Sequence, residues 1–350
     1  MYVPQTLWSV SLLMTVVVQA AIVLAFEGFM FSQFNASLND STHQDSNTRA
    51  TFTYLSLFTF AAVYQLVMTW DSLRLKNTIQ TIGLCMFNFA LMVYAGIQYE
   101  QVKAAVERLA SQSYQSGDSE SPIMNLSTWS KLQPFLIATI VIIGVVSFVL
   151  SYICYKLFFE FGWSIYKHIG ADLQMKRRYL TFQIFIALLK FDCFFFLGFT
   201  IQFVAIILAA KDVEFGLTIA VIPFTILLLL GANYVVRKEN KAGMSVVLVV
   251  FFAGIAYFLF KLVRMYQEAQ SYKYMAARKT LTTFAVITLV LIVVTIFNAV
   301  ACMRNFNKGL KQYVTKPSGK QRKRNPDEKY DMIDMSDHLP RPVTTRMSIE

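Results

Sequence analysis

The sequence predicts an all-α protein: a polytopic bundle of about eight transmembrane helices, followed by a polar C-terminal tail. Three observations carry this. Only 15% of the 350 residues are charged and 56% are hydrophobic, whereas a soluble domain carries about a quarter charged residues. Several apolar runs reach the ~20 residues that a helix needs to cross ~30 Å of hydrocarbon. Those runs are continuous rather than alternating, which excludes a membrane β-barrel.

The first run, about 8–31, is too long for the apolar core of a signal peptide and follows seven uncharged residues. It reads as an uncleaved helix. A polar loop follows, with N-glycosylation sequons at Asn35 and Asn39. The second and third spans fall at about 51–70 and 79–98, joined by a tight connection that holds Arg74 and Lys76. The long loop beyond carries a third sequon at Asn125. Its first part, Glu100–Leu109, has charges at helical spacing and is expected to lengthen the third helix. The fourth span opens at Pro134, a favoured first-turn residue, and ends near 156.

A basic connection leads to the fifth span, about 181–210. The sixth and seventh, about 215–236 and 243–263, flank the basic turn Arg237-Lys238-Glu239-Asn240-Lys241, and Pro223 predicts a kink in the sixth. The eighth covers about 280–302. Residues 303–350 form a basic, mostly disordered tail. No internal repeat is visible in the sequence.

Charge sets the sidedness. The net charge is +11, and the tail, with eleven Lys/Arg against six Asp/Glu, supplies +5 of it. All three sequons fall in the first and third connections, which share one face if eight helices span. Arg74, Lys76, Lys167, Lys176–Arg178, Arg237, Lys238, Lys241 and the tail share the other. By the positive-inside rule both termini are cytosolic. The connection with Arg264, Lys273, Arg278 and Lys279 runs against that rule and keeps a seven-span alternative open. The positive charge is a topology signal first. No soluble basic domain exists to bind nucleic acid.

Ionisable groups inside a bilayer cost ~2.5–3.5 kcal/mol each at a helix centre, so each needs a reason. The candidates are Glu27, Lys190 and Asp192, with Lys261 close enough to a helix end to snorkel. Lys190 and Asp192 cannot pair with each other, because two residues along a helix is a rotation of ~200°. Gln183 shares the face of Lys190, and Asp192 needs a partner on another helix. Either they form a polar site at a helix interface, or a span beginning at Phe191 leaves both at the cytosolic boundary as anchors. Glu27 ends a weak polar stripe with Ser11, Thr15 and Gln19. Gln65, Asn88, Gln202, Asn233 and Asn298 read as interhelical glue.

Cys154 and Cys302 sit near cytosolic helix ends and are candidate palmitoylation sites; the alternative is an ordinary buried thiol. No disulfide framework is expected. In the tail, Tyr330 and Ile333 fit a sorting-adaptor signal, and Lys320, Arg322, Lys323 and Arg324 suit anionic lipid. His43, His168 and His338 lie in separate connections, and no nucleophile elbow or phosphate loop is present. No catalytic residue, cofactor or metal is expected.

Lys156–Gln202 carries a resemblance. WSIYKHIGAD at Trp163–Asp172, the KRRY that follows, FQIFIALLKFDCFFFLGFTIQF and then NFNKGLK at Asn305–Lys311 resemble a fungal family of uncharacterised Golgi apparatus membrane proteins. The resemblance covers roughly residues 8–312 and implies a multi-pass Golgi membrane protein with no assigned activity. The expected role is non-catalytic, in trafficking or transport. The alternatives are a small-solute or ion transporter, or a seven-helix receptor-like protein. Glycosylation mapping should find Asn35, Asn39 and Asn125 luminal while protease reaches the tail from the cytosol. Luminal sequons with a protected tail would overturn the eight-span topology.

Overall fold

The protein is described by a computed structural model that covers residues 6–37, 46–115, 126–169, 172–206, 213–267 and 278–309. Among these residues the regular elements are α1 (Leu7–Ala36), α2 (Ser46–Leu75), α3 (Thr78–Gln115), α4 (Leu126–Ile169), α5 (Leu173–Ile206), α6 (Val213–Lys238), α7 (Lys241–Tyr266) and α8 (Arg278–Arg304). All eight are long and apolar enough to cross a membrane. Four starts or turns are set by side-chain caps. Thr6 opens α1, accepting from the Ser9 amide. Asp172 Oδ1 opens α5, accepting from the amides of Gln174 and Met175 at 2.8 and 3.1 Å.

The two tight turns are built alike. Lys76 and Glu239 take the left-handed conformation, with φ of 48° and 54°. The next residue, Asn77 or Asn240, donates its amide to the carbonyl five residues back, which is the Schellman ending. The same asparagine then caps the following helix: Asn77 Oδ1 accepts from Ile79 and Gln80, and Asn240 Oδ1 from Ala242 and Gly243. Basic residues at these turns therefore ride on a fixed backbone rather than a loose loop.

The bounds of α4 and α5 differ most from the sequence expectation. Pro134 does not open α4, which begins at Leu126, because Leu132 and Leu136 are buried with Met30, Phe34 and Val106 and hold the extra turns in place. The basic connection after 156 is largely helical. Leu157 and Phe161 pack against Leu12, Val16 and Leu73, so α4 continues to Ile169 and α5 starts at Leu173. The Glu100–Leu109 segment does extend α3.

The helices alternate in direction. One end of the bundle gathers Trp8 against Tyr152, both tight turns, the start of α5 and the segment after α8. There the Asn307 amide donates to Glu239 Oε2 at 2.7 Å and Arg178 Nη1 to the Lys308 carbonyl at 2.9 Å. The other end gathers Phe34 against Phe52, Tyr99 against Trp129, and Gln101 donating to Thr280.

Pairing divides the bundle into two halves with the same pattern. In the first, α1 packs on α2 and α4, and α3 packs on α2 and α4. In the second, α5 packs on α6 and α8, and α7 packs on α6 and α8. Each is an up-and-down four-helix arrangement whose second and third helices are joined by the Schellman–Asn turn. The halves meet chiefly through α5, which packs on α2 and α3. Phe194 stacks on Phe60 with ring centroids 5.5 Å apart and meets Phe87 edge-on at 4.8 Å. Gly198 lets α5 approach α8 and α2: a Cβ there would lie 2.8 Å from Phe284 and 3.4 Å from Leu57. Gly198→Val should therefore cost about 1–3 kcal/mol through overpacking. A lower melting temperature of the detergent-purified protein would report it, with Gly96→Ala, which meets nothing within 4 Å, as a control that should hold or slightly raise the melting temperature.

Candidate functional site

The polar residues of the apolar helices converge on the bundle interior. Asn88 on α3 joins the first four helices. Its Oδ1 accepts from Gln19 Nε2 of α1 at 2.7 Å and Gln65 Nε2 of α2 at 2.9 Å, and its Nδ2 donates to Ser147 Oγ of α4 at 2.8 Å. Asn88 and Ser147 are fully buried, so these bonds replace water that the bilayer interior cannot supply.

The charged cluster lies where the halves meet. Lys190 is seventeen residues into α5, ~25 Å along the helix axis. Its Nζ forms an ion pair with Asp71 Oδ2 of α2 and donates to Gln80 Oε1 of α3 at 2.7 Å. Gln80 Nε2 in turn donates to the same Asp71 oxygen at 3.1 Å and to the Met68 carbonyl at 2.9 Å. The three side chains thus close a ring across α2, α3 and α5. Tyr64 Oη donates to the Lys190 backbone carbonyl at 2.5 Å, and Asn77 Nδ2 to the Gln183 carbonyl at 3.4 Å, which pins α5 on both sides of the ring. The ion pair is only partly shielded, with Lys190 and Asp71 side chains 23% and 33% exposed.

Asp192 faces the opposite way, as the helical rotation requires. Its Oδ2 accepts from Thr295 Oγ1 of α8 at 2.6 Å, while Oδ1 is buried without a hydrogen-bond partner. Beyond it along α5, Phe194 and Phe195 line an apolar cavity of about 240 Å³ with Leu57, Phe87, Tyr94 and Phe284. This cavity also lies between the halves. Glu27 of α1 is buried inside the first half, and both of its carboxylate oxygens accept from Gln98 Nε2 of α3 at 3.2 and 3.1 Å.

Lys190 and Asp192 both engage other helices from within α5, and the ring of Lys190 stands beside the α2–α3 turn, where Asp71 and Gln80 flank Leu75 and Thr78. Gln183 shares their helix but meets Asn77 through its backbone, not its side chain. Lys261 does not snorkel; it is buried over the Phe203 ring at 4.0 Å. Neither cysteine presents a sulfur for palmitoylation. Cys154 and Cys302 are buried, with their thiols against the carbonyls of Thr81 and Thr181. Asn35 sits exposed in the last turn of α1. Asn39, Asn125, Tyr330 and Ile333 lie outside the described residues. Sequence reasoning missed Asp71, Gln80, Gln98 and Thr295. The available signal was Asp71 at the very end of a span, nine residues before Gln80 on the far side of a tight turn.

Such a fold and site define a polytopic helical membrane protein with an ionisable cluster between two four-helix halves. The chain is 36% identical over 318 residues to the UPF0658 Golgi apparatus membrane protein of Schizosaccharomyces pombe, covering 87% of this chain and 89% of that one. It belongs to this UPF0658 family of Golgi apparatus membrane proteins. No family model matches the chain. No solved structure matches it either.

Breaking the ring from one side strands a charge. Lys190→Met and Asp71→Leu should each destabilise by somewhat less than the ~3–5 kcal/mol of a fully buried pair, because both groups keep some exposure. The double substitution should cost less than the sum. Thermal melts of the four proteins test this coupling, and additive effects would show that the pair does not act as a unit.

Proposed function

We propose that the protein resides in the Golgi membrane, with both termini cytosolic, and works there without catalysis as a carrier for a small polar solute or an ion. The observation that supports this reading is the Lys190–Asp71–Gln80 ring at the junction of two similarly built four-helix halves. Carriers built from paired halves bind their cargo at the interface between them and alternate access by rocking one half against the other; here the ring stands at the end of that interface beside the α2–α3 turn. An ion pair at that junction is a natural latch. Its partners lie on different halves, so relative motion separates them and cargo can take the place of one.

The lipid bilayer is the surrounding partner. The basic tail would meet anionic lipid through Lys320, Arg322, Lys323 and Arg324, and Tyr330 and Ile333 would engage a sorting adaptor. Those contacts would hold the carrier in its compartment.

Proteoliposomes containing the full chain test the reading. A panel of radiolabelled amino acids, nucleotides, sugars and metal cations should include at least one class that accumulates faster than in protein-free vesicles. Lys190→Met and Asp71→Asn should each reduce that uptake by an order of magnitude. No uptake across the panel, or uptake unaffected by both substitutions, would refute the carrier role.

A further inference from the structure

A second site lies within the first half, between α1 and α2, and shares no residue with the ion-pair ring. Between α1 and α2 runs a crevice of about 320 Å³, with Leu24, Phe31 and Leu55 as its apolar walls and Glu27 in its lining. Glu27 is 1% exposed. Its two oxygens share a single donor group, the Gln98 amide nitrogen. A carboxylate has room for about four hydrogen bonds. Among the described residues no Lys, Arg or His lies within ion-pair distance of it. Its acceptor capacity is thus largely unused inside a membrane span.

The mouth of the crevice shows where a ligand would enter. Gly28 and Ser56 both line it and are exposed, and both lie within spanning segments, so it opens sideways into the bilayer. A Cβ at Gly28 would meet nothing within 4 Å, so the entrance is unobstructed. Thr59 also lines the crevice and adds a second hydroxyl. An occupant arriving from the bilayer must carry hydrocarbon. To satisfy Glu27 it must also bring positive charge and N–H donors.

We propose that this crevice binds the primary ammonium group of an amphiphilic amine drawn from the bilayer, with Glu27 as counter-ion. An ammonium has three N–H donors. One or two go to the Glu27 carboxylate and the remainder to the Ser56 and Thr59 hydroxyl oxygens, while the hydrocarbon chain lies along Phe31, Leu55 and the adjoining lipid. The site is independent of the carrier reading, since it shares no residue with the Lys190 ring. Its test reads binding whether or not transport occurs.

The full chain in phosphatidylcholine nanodiscs, examined by native mass spectrometry, provides that test. Hexadecylamine should bind at one molecule per chain, and hexadecanol, of equal length but neutral, should bind far more weakly. Glu27→Gln keeps an oxygen for the Gln98 contact and should weaken amine binding at least tenfold, about 1.4 kcal/mol. Gly28→Leu fills the entrance without touching the carboxylate and should abolish binding. Equal retention of the alcohol and the amine by the unsubstituted protein would overturn the proposal, and that comparison needs no variant to fold. Unchanged amine affinity in either variant would overturn it as well.

Discussion

A hydrocarbon layer offers no water to an unpaired polar group, and this constraint organises the interior of the bundle. Asn88 illustrates it most fully, because α1, α2, α3 and α4 each contribute a side chain to its hydrogen bonds. Interhelical hydrogen bonds in membranes average only ~0.6 kcal/mol each, so this junction adds little to stability. Its effect is on register: sliding any of the four helices by a residue would leave buried amides unpaired. In the second half Asp192 and Thr295 link α5 to α8. Rings pack beside that link, with Phe199 and Phe258 at 5.0 Å and Phe196 and Phe258 at 5.1 Å. Aromatic packing excludes voids while tolerating small shifts, so the two halves differ in how tightly their helices are indexed.

Helix α5 is where the two regimes meet. Lys190 turns toward α2 and α3, and Asp192 toward α8. The spacing of two residues that prevents their mutual neutralisation lets each bind a different half. Tyr64 and Asn77 add bonds to the α5 backbone from the first half. At its start, which Asp172 caps, the Arg178–Lys308 contact ties α5 to the segment after α8. The helix is consequently clamped at several levels, and the Lys190 ring is the level that holds an ion pair.

Much of this architecture was legible in the sequence. Apolar run length gave the spans, and helical periodicity placed Lys190 and Asp192 on opposite faces and Gln19 and Glu27 on one. Partners were harder to read. Asp71 and Gln80 are nine residues apart around a Schellman turn, and only the approach of α5 shows that they serve one cation. Helix lengths beyond the hydrocarbon core were also hidden. Hydropathy falls off past Lys156 and before Pro134, yet Leu157, Phe161, Leu132 and Leu136 are buried by neighbours that no local pattern identifies. The matched halves escaped notice because they repeat a pairing scheme, not a string of residues. Their one local trace is the brief Lys76-Asn77 and Glu239-Asn240 correspondence.

The ring geometry bears on how the halves could part. Separating Lys190 from Asp71 outright would strand two charges in a medium where each is costly to bury. Gln80 changes that, because its carbonyl oxygen holds the ammonium while its amide nitrogen holds the carboxylate. It belongs to α3, next to the turn that rigidly joins α2, so it stays with Asp71 when α5 moves. The Asp71 carboxylate would keep its neutral partner through the motion, and partial exposure lets water or cargo meet the departing Lys190 ammonium. The amide thus lowers the cost of the first step without weakening the closed state. An apolar residue at position 80 would leave the ion pair in contact but deprive it of that intermediate arrangement.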